Sequence, residues 1–223
     1  MGEKTSASLF AFFQKNRIIF LLGAILGLII GKPLLAGFFK YRYIPDVLLT
    51  IIFVAAIHAI SQNRKHIFIS LILVLPMFAG IWSYYWLQSI VIVMAAQICG
   101  VFFVGYAIMC LIRFILNEKE VTKEIIYASV VVYLLLAITW AFVYLILEFF
   151  HQGSFSYPAG QIPDFFHFLY FSFVTITTLG YGDVLPLTQE ASALAILEAV
   201  TGQMYLVVVV AWLVGMHVSR RSR

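Results

Sequence analysis

Long stretches without charged residues dominate this sequence and limit what it can fold into. Of its 223 residues, 63% are hydrophobic and 11% are charged, whereas a soluble domain carries about 25% charged residues. A helix needs roughly 20 apolar residues to cross the hydrocarbon core of a bilayer. Six stretches approach or exceed that length: Ile18–Phe39, Ile44–Ile60, Ile67–Leu87, Ser89–Leu111, Ile125–Phe150 and Ala191–Val218. The sequence therefore predicts an all-α membrane protein with six transmembrane helices.

A seventh apolar stretch, Phe165–Ile176, is too short to cross a bilayer, and a glycine-containing segment follows it. Irregular backbone at membrane depth is tolerated only where protein or a polar path covers it. This stretch therefore predicts a re-entrant helix that enters and leaves the membrane on one side. Asp164, directly before it, is a residue type that caps helix N-termini.

The basic residues indicate how the helices are oriented. Six crossings place both termini on one side, and that side holds eleven of the 14 Lys and Arg residues. The other three are Lys32, Lys40 and Arg42. Cytoplasmic segments carry the excess of Lys and Arg, so we expect a multi-pass protein of the plasma (inner) membrane with cytoplasmic termini. The formal charge of +4 then reflects orientation, and no nucleic-acid partner is expected.

A dense cluster of charges at 117–124 (NEKEVTKE) divides the chain. We expect a cytoplasmic tail at 1–17, a four-helix membrane domain at 18–116, a cytoplasmic linker at 117–124 and a two-helix domain at 125–223.

The segment after the re-entrant helix reads Thr178-Leu179-Gly180-Tyr181-Gly182. Glycine adopts positive φ readily, so alternating glycines let successive carbonyl groups point to the same side. At membrane depth such carbonyls must line a polar path, where they can replace the hydration shell of a cation. One row of carbonyls cannot surround an ion, so several copies of the chain must meet on an axis, with fourfold symmetry expected.

This segment resembles the potassium-channel signature TTVGYGD, with Leu179 where valine is commonest. The resemblance runs from about Val121 to Val218. It implies a six-transmembrane, one-pore-loop potassium channel of prokaryotic type, assembled as a homotetramer in membrane lipid. Residues 125–223 would then be a pore domain with an outer helix, a pore helix, a selectivity filter and an inner helix.

The resemblance also assigns roles to individual residues. K⁺ would bind the backbone carbonyls of Thr178, Leu179, Gly180 and Tyr181 and the Thr178 hydroxyl, with Gly182 completing the filter. The residues expected to support the filter are Thr177, Asp183, Tyr170 and Glu198. No cofactor beyond the bound K⁺ ions and no enzymatic activity are expected.

Two positions depart from familiar potassium channels. Val174 stands where some channels carry a glutamate that pairs with the aspartate of the mouth, and Phe171 stands where many carry a tryptophan. Tyr170 remains as a donor to Asp183. The departures concern the slow closing of the filter rather than its selectivity.

Gly202 lies in the middle of the last apolar stretch. The matching glycine in many potassium channels is a hinge of the inner gate, while a glycine kept for close helix packing is an equally good interpretation. Gln203, Leu206 and Val210 then match positions that line the water-filled cavity.

Glu198 lies one turn before Gly202, at membrane depth. An ionisable residue there is costly and is a functional candidate by default. We favour a structural role, in which its carboxylate bonds to the hydroxyl of Thr177 or Thr175 behind the filter.

The first four helices lack the charges of an arginine-type voltage sensor. Steep voltage gating needs roughly three to four charges per subunit. The fourth predicted helix has no basic residue before Arg113, the third has no Asp or Glu, and the second has only Asp46. We therefore predict that this domain does not sense voltage by that mechanism.

Other features of these helices indicate packing. Gly23, Gly27 and Gly31 share the spacing that lets helices approach closely. His58 is expected to be a hydrogen-bonded structural residue. Cys99 and Cys110 would lie about 16 Å apart on one helix, too far for a disulfide.

Three other functions are compatible with some of these features. A weakly selective cation channel of the same fold is nearest, although such channels usually depart from GYG. A Trk-type uptake transporter carries four filter-like loops, whereas this chain has one. An enzyme is disfavoured because the sequence has no phosphate-binding loop and no catalytic triad with supporting context.

Overall fold

The computed structural model describes residues 16–35, 44–60, 64–83, 90–118, 120–157 and 164–221. These residues form seven helices, which we number in chain order: α1 (Arg17–Leu35), α2 (Ile44–Ile60), α3 (Arg64–Ser83), α4 (Ile90–Asn117), α5 (Lys123–Phe150), α6 (Phe165–Ile176) and α7 (Gln189–Arg221). Each predicted apolar stretch lies on one helix, so the all-α prediction is confirmed. Parts of the first and third predicted stretches, residues 36–39 and 84–87, lie outside the described residues.

Several helices extend beyond the sequence-based boundaries. Helix α4 continues past Leu111 to Asn117, α7 extends from Gln189 to Arg221, and α1, α3 and α5 begin one to three residues before their apolar stretches. The backbone hydrogen bonds of a helix are made within the helix itself, so a helix does not have to end where its apolar residues end.

Three helical stretches are long and apolar enough to cross a bilayer. They are Val91–Asn117, Lys123–Phe150 and Gln189–Met216. The described apolar stretches of α1, α2 and α3 are shorter, at 17 residues or fewer. Length and composition thus support three crossings, and the prediction of six remains open.

Helix α5 connects the two halves of the molecule. It packs against α1 and α4 on the N-terminal side and against α6 and α7 on the C-terminal side. One buried apolar cluster extends from Ile18 on α1 to Ala191 on α7. The short helix α6 is held between α5 and α7, and this packing positions the segment that follows it.

The glycines that allow close helix packing are not the predicted ones. A Cβ added at Gly23 or Gly27 would meet no atom within 4 Å, and one at Gly31 would lie 3.4 Å from Leu48. The close approach occurs at Gly80 on α3, where a Cβ would lie only 2.1 Å from the Cβ of Ala96 on α4. The prediction that Gly23 and Gly27 pack against another helix is therefore wrong for the described part of a single chain, because these glycines face open space there.

Candidate functional site

Helix α6 begins at a strong N-terminal cap, as predicted. The carboxylate of Asp164 accepts hydrogen bonds from the backbone N–H groups of Phe166 (3.0 Å) and His167 (3.1 Å). The side chain of His167 completes a capping box with the Asp164 backbone. These bonds satisfy N–H groups that have no partner within the helix, and they fix where α6 starts.

The backbone after α6 alternates between two conformations. Thr178, Gly180 and Gly182 have positive φ values of 58°, 60° and 74°, whereas Leu179 and Tyr181 do not have positive φ. When left-handed and right-handed backbone conformations alternate from residue to residue, successive carbonyl groups turn toward the same side. The amides point back to the end of α6, because those of Leu179 and Gly180 both donate to the carbonyl of Val174, at 2.9 and 3.2 Å.

The positive φ of Thr178 was not predicted from the sequence, because threonine, unlike glycine, has a Cβ. A residue with a Cβ pays about 1–3 kcal/mol for a sparsely populated backbone conformation and keeps it only where the surroundings impose it. Here the amide of Thr178 donates to the carbonyl of Thr175 at 2.9 Å. The five residues Thr178 to Gly182 are exposed in the single chain.

Glu198 lies behind this segment and is fully buried. Its carboxylate accepts a hydrogen bond from the hydroxyl of Tyr144 on α5 at 2.5 Å and also contacts the hydroxyl of Ser172 on α6. The Ser172 hydroxyl lies 2.8 Å from the carbonyl oxygen of Ala137 on α5 as well. These four residues join three helices through buried polar contacts.

The structural role predicted for Glu198 fits this arrangement, but the predicted partners were wrong. Thr177 lies beyond the last turn of α6, and its hydroxyl donates to the carbonyl of Phe173 at 2.6 Å. Ser172 lies on the buried side of α6, next to α5 and α7. Glu198 therefore reaches the α6 hydroxyl that faces α5 and α7, and in the described residues neither Thr177 nor Thr175 is among its hydrogen-bond partners.

The predicted contact at the outer end of the segment is present. The hydroxyl of Tyr170 donates to the carboxylate of Asp183 at 2.6 Å, and the amide of Val184 donates to the other oxygen at 3.1 Å. The hydrogen bond from Tyr170 holds the pKa of Asp183 below its usual value. The same bond raises the pKa of Tyr170 to about 12, because it requires the phenol to keep its proton.

Phe171, at the position of the family tryptophan, is part of an aromatic cluster. Its ring centroid lies 5.1 Å from that of Tyr144 and 5.4 Å from that of Phe155. Phe155 also meets Phe168 at 5.4 Å. These edge-to-face contacts pack aromatic residues of α6 against α5 and the loop after it. Phe155, from the loop after α5, had not been predicted to take part.

Two further residues that hold the site were missed from the sequence. The hydroxyl of Tyr133 on α5 donates to the carbonyl of Ile176, the last residue of α6, at 2.9 Å. The carboxylate of Glu148 accepts from the amides of Gly153 (2.8 Å) and Ser154 (2.9 Å). Glu148 gave a signal, since it is a lone acid in the apolar run of α5, whereas Tyr133 gave none.

The loop after α5 also holds the segment that follows Gly182. The amide of Ser156 donates to the carbonyl of Leu185 at 2.8 Å, and the amide of Leu187 donates to the carbonyl of Ser154 at 2.7 Å. Hydrogen bonds from α5 and its loop therefore hold the chain on both sides of Thr178–Gly182, which we call the TLGYG segment.

Gly202 lies where α7 crosses the end of α6. A Cβ at this position would lie 2.4 Å from Cγ1 and 2.9 Å from the carbonyl oxygen of Ile176. This contact supports the packing interpretation, and bending at Gly202 stays a prediction. Gln203, Leu206 and Val210 are exposed in the single chain, as a surface that lines a cavity or meets another copy would be.

The cysteines and His58, which the sequence also drew attention to, lie outside this site. Cys99 and Cys110 are free thiols, as expected. His58 lies on α2, away from α6 and the segment after it. In the described ranges, no three His, Cys, Asp or Glu side chains come together as a group that could hold a metal ion.

The residues of this site lie within one recognisable domain. Residues 125–218 match the family described as ion channel. The ion channel domain covers helices α5, α6 and α7 and the TLGYG segment, which is less than half of the chain. Comparison with curated proteins and with solved structures finds no similar protein. The ion channel domain and the three long apolar helices together indicate a membrane protein that conducts ions passively.

Proposed function

We propose that this protein is a subunit of a homotetrameric potassium channel, and that K⁺ passes between the backbone carbonyls of Thr178, Leu179, Gly180 and Tyr181. The observation that carries the proposal is the alternating backbone of this segment within an ion channel domain. The amides of Thr178, Leu179 and Gly180 donate to carbonyls of α6, which leaves the carbonyls of the segment on the other side to coordinate a cation. Carbonyl dipoles bind a desolvated cation without a net charge that would trap it.

Helix α6 adds to the attraction for a cation. The helix begins at its cap, Asp164, and ends at Ile176, so its C-terminal end lies next to the TLGYG segment. The C-terminal end of a helix carries roughly half a negative charge. Four such ends around one axis would favour a cation at its centre.

Exposed apolar side chains support assembly into a tetramer. Leu179 and Tyr181 expose 54% and 67% of their surfaces in the single chain, although the sequence around them belongs at membrane depth. Neighbouring copies around an axis would cover them and complete the coordination of the ion. Six crossings per subunit and cytoplasmic termini complete the proposal.

The alternative is a weakly selective cation channel of the same fold. A flux assay in liposomes separates the two, because a potassium channel passes Rb⁺ or Tl⁺ readily and excludes Na⁺. We expect the purified protein to show this preference and the Gly182→Ala variant to lose selective flux, since L-residues pay about 1–2 kcal/mol for left-handed φ.

Gly153→Ala is the matched control for this variant. Gly153 also has positive φ, at 83°, and lies in the loop after α5. The control should keep the preference for Rb⁺ over Na⁺. Equal Rb⁺ and Na⁺ flux through the unmodified protein would favour the weakly selective channel.

A further inference from the structure

A cavity of about 500 Å³ opens at the end of the molecule where α1 and α3 begin and α4 ends. It lies within the four N-terminal helices, outside the ion channel domain at 125–218. Its size falls in the range of small-molecule sites, roughly 300–1,000 Å³. Its walls bring together residues from four helices that lie far apart in the sequence.

The polar wall of this cavity is mainly cationic. Arg17 from α1 and Arg113 from α4 both line it, with the amide of Asn117 beside them. Among the described residues that line the cavity, Glu118 is the one acid. In the part of the chain that the structure describes, neither guanidinium forms an ion pair with a carboxylate within 4.0 Å. Two guanidinium groups against one carboxylate give the described wall of the cavity a net positive charge.

An aromatic contact positions the guanidinium of Arg17, and a side-chain contact joins α3 to α4 at the cavity. The guanidinium of Arg17 lies 6.0 Å from the ring centroid of Phe114, which also lines the cavity. His66 also lines the cavity, and its Nδ1 lies 2.6 Å from the hydroxyl of Tyr106, which joins α3 to α4. A guanidinium stacked on a ring keeps its planar donors available for an oxyanion.

Apolar side chains line the cavity as well, among them the buried Ile18 and Leu111. The long apolar stretch of α4 ends at Asn117, with Arg113 in its last turns, so the cavity lies where the helix would leave the hydrocarbon. Basic pockets between helices at such a boundary are typical sites for anionic headgroups.

We propose that this cavity binds a phosphate group, carried by the headgroup of an anionic lipid or free in solution. Arginine binds phosphate oxygens through two parallel hydrogen bonds, and the two guanidinium groups and the Asn117 amide supply the donors. The site is independent of ion conduction, so its test does not rely on channel activity.

The first experiment uses Cys110, which also lines the cavity. A Cys99→Ser variant leaves Cys110 as the one cysteine of the chain. Its labelling by N-ethylmaleimide is timed in phosphatidylcholine vesicles, in vesicles that also contain phosphatidylglycerol, and in phosphatidylcholine with inorganic phosphate. We expect several-fold slower labelling when the cavity is filled. Protection by phosphatidylglycerol alone assigns a lipid headgroup, and protection by inorganic phosphate assigns the free ion.

The second experiment removes the cationic wall. Arg17→Gln with Arg113→Gln should abolish the protection and reduce the number of phosphatidylglycerol molecules retained in native mass spectrometry by one per subunit. Lys65→Gln with Lys123→Gln is the matched control, because both lysines are exposed and lie outside the cavity.

Three results would overturn the proposal. In the labelling experiment, they are equal labelling rates of Cys110 in all three conditions and the absence of labelling in phosphatidylcholine vesicles. In the second experiment, the contradicting result is an equal loss of bound lipid in both double variants. If the arginine variant does not fold, the labelling of the Cys99→Ser protein decides alone.

Discussion

At the scale of single residues, the TLGYG segment depends on three left-handed positions, Thr178, Gly180 and Gly182. The two glycines were predictable, because glycine is the residue that takes positive φ at little cost. The conformation of Thr178 was not, since its cause is a set of hydrogen bonds from the amides of 178–180 to the end of α6. A local sequence does not show bonds that form only when the helix and the segment meet.

The hydrogen bond between Tyr170 and Asp183 leads to a prediction about pH. Since it lowers the pKa of Asp183 and raises that of Tyr170 to about 12, the pair persists across neutral pH. It is lost when acid protonates Asp183 or when base ionises Tyr170. Tyr170→Phe removes the donor, so the pKa of Asp183 should return toward its ordinary value, and any inhibition of current by external acid should move to higher pH.

The measurement is single-channel current against external pH. Tyr127→Phe on α5 is the control, because Tyr127 forms no hydrogen bond through its hydroxyl in the described part of the chain. An unchanged acid midpoint in Tyr170→Phe would show that Asp183 does not depend on this bond.

At the scale of helices, Glu198 on α7 is joined to Tyr144 on α5 by a buried hydrogen bond. Glu198→Met leaves the Tyr144 hydroxyl buried without its acceptor, which costs about 1–3 kcal/mol. Removing the hydroxyl as well, in Glu198→Met with Tyr144→Phe, should recover most of that loss. Chemical denaturation of the purified protein measures both. A double variant no more stable than Glu198→Met would contradict a structural hydrogen bond between them.

The crossing of α6 and α7 gives a second prediction at this scale. Gly202→Ala forces a Cβ against the side chain and carbonyl of Ile176, and overpacking of this kind costs about 1–3 kcal/mol. Gly215→Ala on the same helix meets nothing within 4 Å and should keep full stability. A hinge without a packing role would instead leave the stability of Gly202→Ala unchanged and alter only channel opening. Thermal unfolding and single-channel recording, performed together, separate the two roles.

The sequence predicted helices better than it predicted their partners. Every apolar stretch is helical over its described residues, because hydropathy and length are local properties. The partners predicted for Glu198 were wrong, and Gly23 and Gly27 meet no neighbour within the described part of the single chain, since both outcomes depend on which faces meet in three dimensions. The close contacts at Gly80 and Tyr133 left no pattern in the sequence for the same reason.

For the whole molecule, the first four helices should not confer steep voltage dependence. The one basic residue on α4 is Arg113, and it lies in the cavity wall near the end of the helix. Moving one charge through the membrane is worth about 2.3 kcal/mol per 100 mV, so this residue alone cannot drive steep gating. Open probability in symmetric K⁺, recorded over about 100 mV on either side of zero, should be flat or shallow. A steep sigmoid with several effective charges would refute this.

The central claim is that four copies of the TLGYG segment form a path selective for K⁺. The most direct test is the reversal potential of the purified protein in a planar bilayer, with K⁺ on one side and mostly Na⁺ on the other. The account predicts a reversal potential close to the K⁺ equilibrium potential. A reversal potential near zero, as for a path that admits Na⁺ and K⁺ equally, would contradict it.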